Sequence, residues 1–441
     1  MIVSSSTPTL ILELTAGLLI LIISFLSTEI AIYFLIFSML LSPEIVVASG
    51  GQREVSLRMD DILILVISLG WLARNAVYKE LGVFVKTPLN RPILYYVIAC
   101  IAATSIGMIF GKVNPQQGTF FVIKYIEYFA IFFIVLSNIH SREQIKWYLL
   151  AMFATAFVIS IYAILQIPTT ERVSAPFEGA GGEPNTLAAY LVIIISLLAG
   201  IFLSYKSMRI KAASIAFIVL AVIPFMYTLS RSSWMAIIAM CAAFIIFSRQ
   251  KIYLFAFLLI LLVLAPMIIP EKVEERYRAT FMERPVESPT QVKIGEYYLD
   301  FSASARVISY KRILDDIKIH PIFGYGITGY GFIDGQYFRT LIETGLIGFA
   351  AFIYLLYMIF ITLLKIYKNS SDELFKGISL GMLAGFAGLL AHALSANTFI
   401  IIRIMEPFWL VMAMVIAGAG ITNTNLAKRS LQGAFPERTN P

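Results

Sequence analysis

The chain has 441 residues, 59% of them hydrophobic and 14% charged, with a mean hydropathy of +0.83 and a formal net charge of +7. A soluble domain of that length has too little interior to hide so much apolar surface, so the composition selects a polytopic membrane protein. Its Lys and Arg residues form no basic patch with interleaved aromatics but collect in short loops between apolar runs, which excludes a nucleic-acid partner and leaves the lipid bilayer as the surrounding medium.

The N-terminal stretch MIVSSSTPTL lacks the positive n-region and small-residue cleavage site of a signal peptide, so the first apolar run is expected to be retained. Apolar windows of spanning length, about 17 to 25 residues, fall near 9–27, 30–47, 60–78, 92–111, 119–138, 144–166, 185–204, 211–228, 232–248, 252–269, 339–366, 374–394 and 398–419. They predict an all-α polytopic membrane protein with about thirteen transmembrane helices, or about twelve if the first two are miscounted.

Charge then orients the helices. Arg74, Lys79, Lys86 and Arg91 share one loop, and the same alternation brings Arg142 and Lys146, then Lys206, Arg209 and Lys211, then Arg249 and Lys251, then Lys365, Lys368 and Lys376, and finally Lys428 and Arg429 to the same side. The positive-inside rule makes that side cytoplasmic. The outer side receives the Gly-rich loop TTERVSAPFEGAGGEPNT (Thr169 to Thr186), a tight junction TLSRSS (Thr228 to Ser233), and an excursion from about Pro270 to Arg339. The expected organisation is an N-terminal membrane bundle over 1–269, a large external loop over 270–338, C-terminal membrane helices over 339–420 and a cytoplasmic tail over 421–441.

A loop on the order of seventy residues, against the usual two to eight between helices, is mostly functional or disordered. In SASARVISYKRILDDIKIH (Ser302 to His320) the residues Val307, Tyr310, Leu314 and Ile317 recur at helical spacing, which predicts an amphipathic helix capped by Ser302 or Ser304 and ended by Pro321 and the glycines behind it.

The motifs divide into bland and sharp. GYGITG (Gly324 to Gly329) matches G-x-G-x-x-G, but a helix precedes it where a dinucleotide site needs a strand, so its glycines are read as allowing a sharp turn and close backbone approach. GISLG (Gly377 to Gly381) matches a nucleophile elbow, yet it sits in an apolar helix and reads as small-residue packing. Cys100 and Cys241 lie inside apolar runs and the three histidines are scattered, so neither a disulfide framework, a metal site nor a cofactor is implied. Lys124 and Glu127 stand one turn apart near the outer end of their helix, where an intrahelical ion pair is expected. Asp60 and Asp61 open a helix and suit its N-terminal dipole. Arg231, between two apolar helices, reads either as a snorkelling interfacial side chain or as a functional charge.

Four stretches taken together resemble one family: SRSSW opening a helix (Ser230 to Trp234), Arg306 followed by YKRIL, IHPIFGYG (Ile319 to Gly326), and DGQYFRTLIETGLIGF (Asp334 to Phe349). Their order and spacing, with the EPN of the Gly-rich loop before them, are similar to the O-antigen polymerase and O-antigen ligase superfamily of bacterial envelope glycosyltransferases. The resemblance covers roughly residues 170 to 350.

The resemblance implies a multi-pass protein of the bacterial inner membrane that transfers or polymerises undecaprenyl-diphosphate-linked glycan at the periplasmic face without a metal. A glycan or lipid-linked acceptor would be its second substrate, and a chain-length regulator and a flippase its partners. It implies that Arg231 and Arg306 hold the donor diphosphate, with Lys124 a further candidate, and guanidinium suits that role because it meets phosphate oxygens bidentately. Tyr325, Tyr330, Tyr337 and Asn185 would then shape a glycan groove. Ligases of the family carry a His-Asn or His-Ser pair where this chain has Asp334 and Gly335. Asp334 and the external His320, with Arg306, are therefore the catalytic candidates, and the missing His favours a polymerase over an O-antigen ligase acting on lipid A core. The rival of another class is a polysaccharide or lipid transporter or flippase, which predicts inverted repeats and charges at mid-membrane.

Overall fold

The computed structural model describes residues 19–48, 55–78, 85–178, 182–282 and 291–434. Lys79, residues 179–181 of the Gly-rich loop, part of the external loop and the start of the first apolar window lie outside these residues.

Each apolar window falls on a helix. In chain order the helices are α1 (19–26), α2 (Thr28–Leu41), α3 (Met59–Tyr78), α4 (Asn90–Ile109), α5 (Pro115–Asn138), α6 (Arg142–Gln166), α7 (Pro184–Ser204), α8 (Met208–Tyr227), α9 (Arg231–Phe247) and α10 (Lys251–Ile268), then α11 (Glu271–Arg278) and α12 (Phe301–Asp316) in the external loop, and finally α13 (Gln336–Asn369), α14 (Glu373–His392) and α15 (Ile402–Ala434). Eight of them, α4 to α8 and α13 to α15, are long and apolar enough to cross a membrane. α15 runs on to Ala434 where the sequence predicted a tail from 421.

Local chemistry sets the boundaries. Asn114 accepts from the backbone N–H of Gln116 and Gln117 with Pro115 as the first residue of α5, and Ser141 and Gln144 form a capping box on α6. α5 therefore begins at Pro115, ahead of its apolar window, and Lys124 and Glu127 lie near its middle. α2 stops at Leu41, before Ser42 and Pro43, because the residue before a proline leaves the helical region. The rest of that window enters strand β1 (Glu44–Ala48), antiparallel to β2 (Val55–Arg58).

α7 is the central helix, buried along most of its length, and it packs on α14 through glycines. A Cβ on Gly200 would stand 2.5 Å from the Gly381 nitrogen and closer still to the Gly377 carbonyl, so GISLG is a backbone-to-backbone contact between helices. α15 closes the core beside α5 and α7, while α10 packs on α9 at the periphery.

Contacts sort the helix ends onto two faces. On one face Arg142 pairs with Asp372 at 2.9 Å, Gln144 donates to Glu29, and the Tyr367 hydroxyl donates to the Phe247 carbonyl. The basic loops of the sequence gather there. The opposite face carries the external loop, in which strands β3 (Phe281–Met282), β4 (Lys293–Ile294) and β5 (Tyr297–Leu299) form a small antiparallel sheet in the order β3-β5-β4. β5 delivers the chain to Asp300, whose Oδ1 accepts from Ala303 N at 2.8 Å and caps α12. The expected cap at Ser302 or Ser304 is thus displaced, and Ser304 instead ties Val292 and Leu299 together.

The HPIFGYG and TLIETG segments are docked on each other. Tyr325 N donates to Ile342 O, Gly326 N to Glu343 O, and Leu346 N to Pro321 O, all between 2.8 and 2.9 Å. Gly324 (φ 69°) and Gly345 (φ 65°) meet at this seam, and Gly345 kinks α13 after its first nine residues. Both glycines are required there by a left-handed backbone and by the absence of room for a Cβ.

Candidate active site

Beneath the external loop, on its face of the bundle, a cavity of about 480 Å³ opens between four segments. That volume is of the size that takes a small organic ligand. The middle of α5 contributes Phe121, Lys124 and Tyr125, and the Gly-rich loop with the start of α7 contributes Arg172, Glu178 and Asn185. The start of α13 adds Asp334 and Arg339, and the connection into α15 adds Asn397, Ile400, Ile401 and Arg403. Arg58 completes the wall.

The cavity is cationic, with five basic residues against Glu178, Glu183 and Asp334 on its lining. Four of the five are neutralised within the wall: Lys124 by Asp61 at 2.9 Å, Arg58 by Asp60, Arg339 by Glu343 at 3.4 Å and Arg403 by Glu178 at 3.3 Å. Lys124 therefore does not pair with Glu127. The helix-opening carboxylates Asp60 and Asp61 act as ion-pair partners rather than only as dipole charges.

Arg172 differs from the others. It donates to Thr228 O at 2.8 Å and Asn185 Oδ1 at 3.3 Å, and among the described residues it has no carboxylate within ion-pair range. Burial, with Arg276 and Arg231 nearby, pushes its guanidinium down to about 10. Glu178 is pushed up to about 7, chiefly by burial, while Arg403 and the backbone N–H groups of Glu183 and Ala175 pull it back.

Arg403 also donates to the carbonyls of Pro176, Phe177 and Ser42, and so pins the Gly-rich loop against the bundle. Asn397 donates to Ile333 O at 2.7 Å, and its buried Oδ1 has no hydrogen-bond partner among the described residues.

The sequence candidates separate by position. Lys124, Asn185 and Asp334 line the cavity. Arg306 reaches its edge, donating from Nη2 to Asp334 at 3.0 Å and from Nη1 to Ser302 at 3.0 Å, with its buried Nε lacking an acceptor among the described residues. Arg231 lies beside the cavity, held by Asp300 at 2.6 Å and Thr280 at 3.0 Å. His320, Tyr325 and Tyr330 form an edge-to-face aromatic cluster at the other side of the loop, with Tyr330 bonded to Asp316. Tyr337 is packed on Phe352 and donates to Leu390 O. The structure does not bring these four into the cavity.

Arg58, Arg172, Arg339, Arg403 and Glu178 went unremarked in the sequence. Arg403 and Glu406, one turn apart in an apolar window, carried the clearest signal, since ionisable residues inside a membrane helix are costly.

Residues 216–353 match the family model described as O-antigen ligase. The match runs from within α8, through Arg231, the whole external loop and Asp334, into α13. It covers about a third of the chain and supports the O-antigen polymerase and ligase superfamily. No curated protein matches the chain. The protein is thus a multi-pass membrane protein in which residues 216–353 match the O-antigen ligase family model, and lipid-linked glycans in a bilayer are the substrates that this family implies.

Proposed function

We propose that the protein polymerises or transfers undecaprenyl-diphosphate-linked glycan repeat units at the periplasmic face of the inner membrane. The observation that carries this reading is the single cavity in which Lys124, Asn185 and Asp334 converge from three distant parts of the chain, with Arg306 paired to Asp334 at its edge.

In this reading the acceptor hydroxyl attacks the anomeric carbon of the donor. The new glycosidic bond forms as the bond from that carbon to the phosphate oxygen breaks, and undecaprenyl diphosphate leaves with the bonding electrons. Asp334, at 38% side-chain exposure the more open partner of its ion pair, takes the hydroxyl proton. Arg306 and Arg231 stabilise the charge on the leaving diphosphate, a task in which guanidinium acts without proton exchange. His320 lies outside the cavity and receives no step.

The alternative is an O-antigen ligase, in which the same donor half-reaction delivers glycan to lipid A core. The matched family model supports the two readings alike. Purified protein given a lipid-diphosphate-linked glycan together with lipid A core decides both questions. Wild type should release undecaprenyl diphosphate and lengthen the carrier-linked glycan, and Asp334→Asn should do neither. Glycan on lipid A core would establish the ligase, and full turnover by Asp334→Asn would remove Asp334 from the reaction.

A further inference from the structure

Asp334 lies between Ile333 and Gln336, and both of these are fastened to one short segment. On one side Asn397 Nδ2 donates to Ile333 O at 2.7 Å, and on the other Gln336 N donates to the carbonyls of Ala393 at 3.0 Å and Ala396 at 3.2 Å. The Gln336 side chain adds to the contact, because its Oε1 accepts from Phe399 N at 2.9 Å while its Nε2 donates to Thr340 Oγ1 at 3.0 Å within α13. Ala393, Ala396, Asn397 and Phe399 all belong to the connection between α14 and α15, which lies outside residues 216–353.

That connection is itself fixed. His392 Nδ1 and Thr398 Oγ1 share a hydrogen bond of 2.7 Å, Tyr310 donates to Leu394 O at 2.8 Å, and Thr398–Ile400 form a single tight turn. Asn397 and Gln336 are only 7% and 1% exposed, so their hydrogen bonds lie where water competes little and the electrostatic attraction is strong. Ala396, Asn397, Ile400 and Ile401 also line the cavity together with Asp334. Anchorage on both flanks matters because Gly335, with φ 113°, is a permissive backbone joint directly after Asp334. Held on one flank alone, the carboxylate could swing about that joint.

We propose that Asn397 and Gln336 are positioning residues for the Asp334 carboxylate, so that the α14–α15 connection sets it against the acceptor hydroxyl. The proposal rests on the reading of Asp334 as the proton acceptor. A general base works only within hydrogen-bond reach of the proton it takes, and a misplacement on the order of 1 Å costs about a hundredfold in rate.

The test is a double-substitution cycle in the purified full chain, with undecaprenyl-diphosphate-linked glycan as donor and with turnover, equilibrium donor binding and melting temperature as readouts. Asn397→Leu removes the amide and keeps its volume, whereas Asn397→Ala removes both. Each should lower turnover about a hundredfold with donor binding unchanged. In the Asp334→Asn background, where no carboxylate is left to position, neither should lower the residual rate further. An equal loss in both backgrounds, donor binding that falls in step with turnover, or a turnover loss that only follows unfolding would make Asn397 a structural residue and leave the reading of Asp334 standing. Full turnover by Asp334→Asn would overturn both.

Discussion

Arg306, in the second turn of α12, donates to the Asp334 carboxylate at 3.0 Å, and thereby joins the external loop to the segment where it re-enters the bundle. Gly335 (φ 113°) turns the chain immediately after Asp334, and Tyr310 fills the space that a Cβ there would take. Tyr310 itself stacks on Phe338 at 4.1 Å and donates to Leu394 O, so the pair is held from both sides. Because Nε of Arg306 remains without an acceptor among the described residues, the planar fork has a donor left for a ligand. Arg306→Lys keeps the charge and loses the fork. Transfer should fall about a hundredfold or more with the melting temperature retained, and a Lys variant of normal activity would make the pair a structural clasp.

Lys124 and Asp61 are buried, with side-chain exposures of 11% and 8%, and breaking such a pair from one side leaves a charge stranded. Lys124→Met alone and Asp61→Asn alone should each cost about 3–5 kcal/mol, read as a lower melting temperature in detergent. The double variant should recover much of that loss, since Asn can still accept from Arg58 N as Asp61 does at 2.9 Å. Glu127→Gln in the Lys124→Met background should not rescue. Rescue by Glu127→Gln and not by Asp61→Asn would restore the intrahelical pairing expected from the sequence.

Gly324, Gly345 and Gly111 all have positive φ, but their surroundings differ. A Cβ on Gly324 would meet Ile342 O at 2.5 Å and Gly345 N at 2.6 Å, one on Gly345 would strike Ile322 O, and one on Gly111 would meet nothing within 4 Å. Gly111→Ala should therefore cost only the left-handed backbone penalty of about 1–2 kcal/mol. Gly324→Ala and Gly345→Ala should sharply reduce folded yield. Equal losses at all three positions would mean that the two motif segments do not dock backbone to backbone.

Orientation is tested with cysteines placed in a background where Cys100 and Cys241 have been replaced. Glu296, exposed at the β4–β5 turn, and Lys368, exposed near the end of α13, lie on opposite faces of the bundle. On intact cells with a permeable outer membrane, an impermeant thiol reagent should label Glu296→Cys and spare Lys368→Cys. The reverse pattern would invert the topology and put the cavity in the cytoplasm.

How far the sequence could be read depended on the range of each interaction. Helix positions were legible because apolar runs of spanning length are a property of the local chain, and α12 was legible from the spacing of Val307, Tyr310, Leu314 and Ile317. The motif pair around Gly324 and Gly345 was visible as two unusual stretches, although their mutual docking was not. Ion pairs were the least legible. The Lys124 and Glu127 spacing suggested a local pair, but the ammonium goes to Asp61 on another helix, and Arg403 finds Glu178 across 225 residues. Nothing in local spacing distinguishes a carboxylate that is near in sequence from one that tertiary packing brings nearer. For the same reason the tyrosines and His320, chosen for their chemistry, lie outside the cavity, while Arg172, inside a loop quoted for its glycines, lies within it.

The central claim, that guanidinium groups on this face stabilise a departing lipid diphosphate, is tested most directly at Arg231. The measurement is the rate of glycan transfer from a lipid-diphosphate donor by wild type, Arg231→Lys and Arg231→Ala, with and without EDTA, alongside thermal stability. Arg231→Lys should be nearly as damaging as Arg231→Ala, each lowering the rate about a hundred- to thousandfold in protein that still melts cooperatively although the Asp300 pair is weakened, and the wild-type rate should be insensitive to EDTA. Near-normal turnover by Arg231→Lys, or activity that EDTA abolishes and Mg²⁺ restores, would contradict the account.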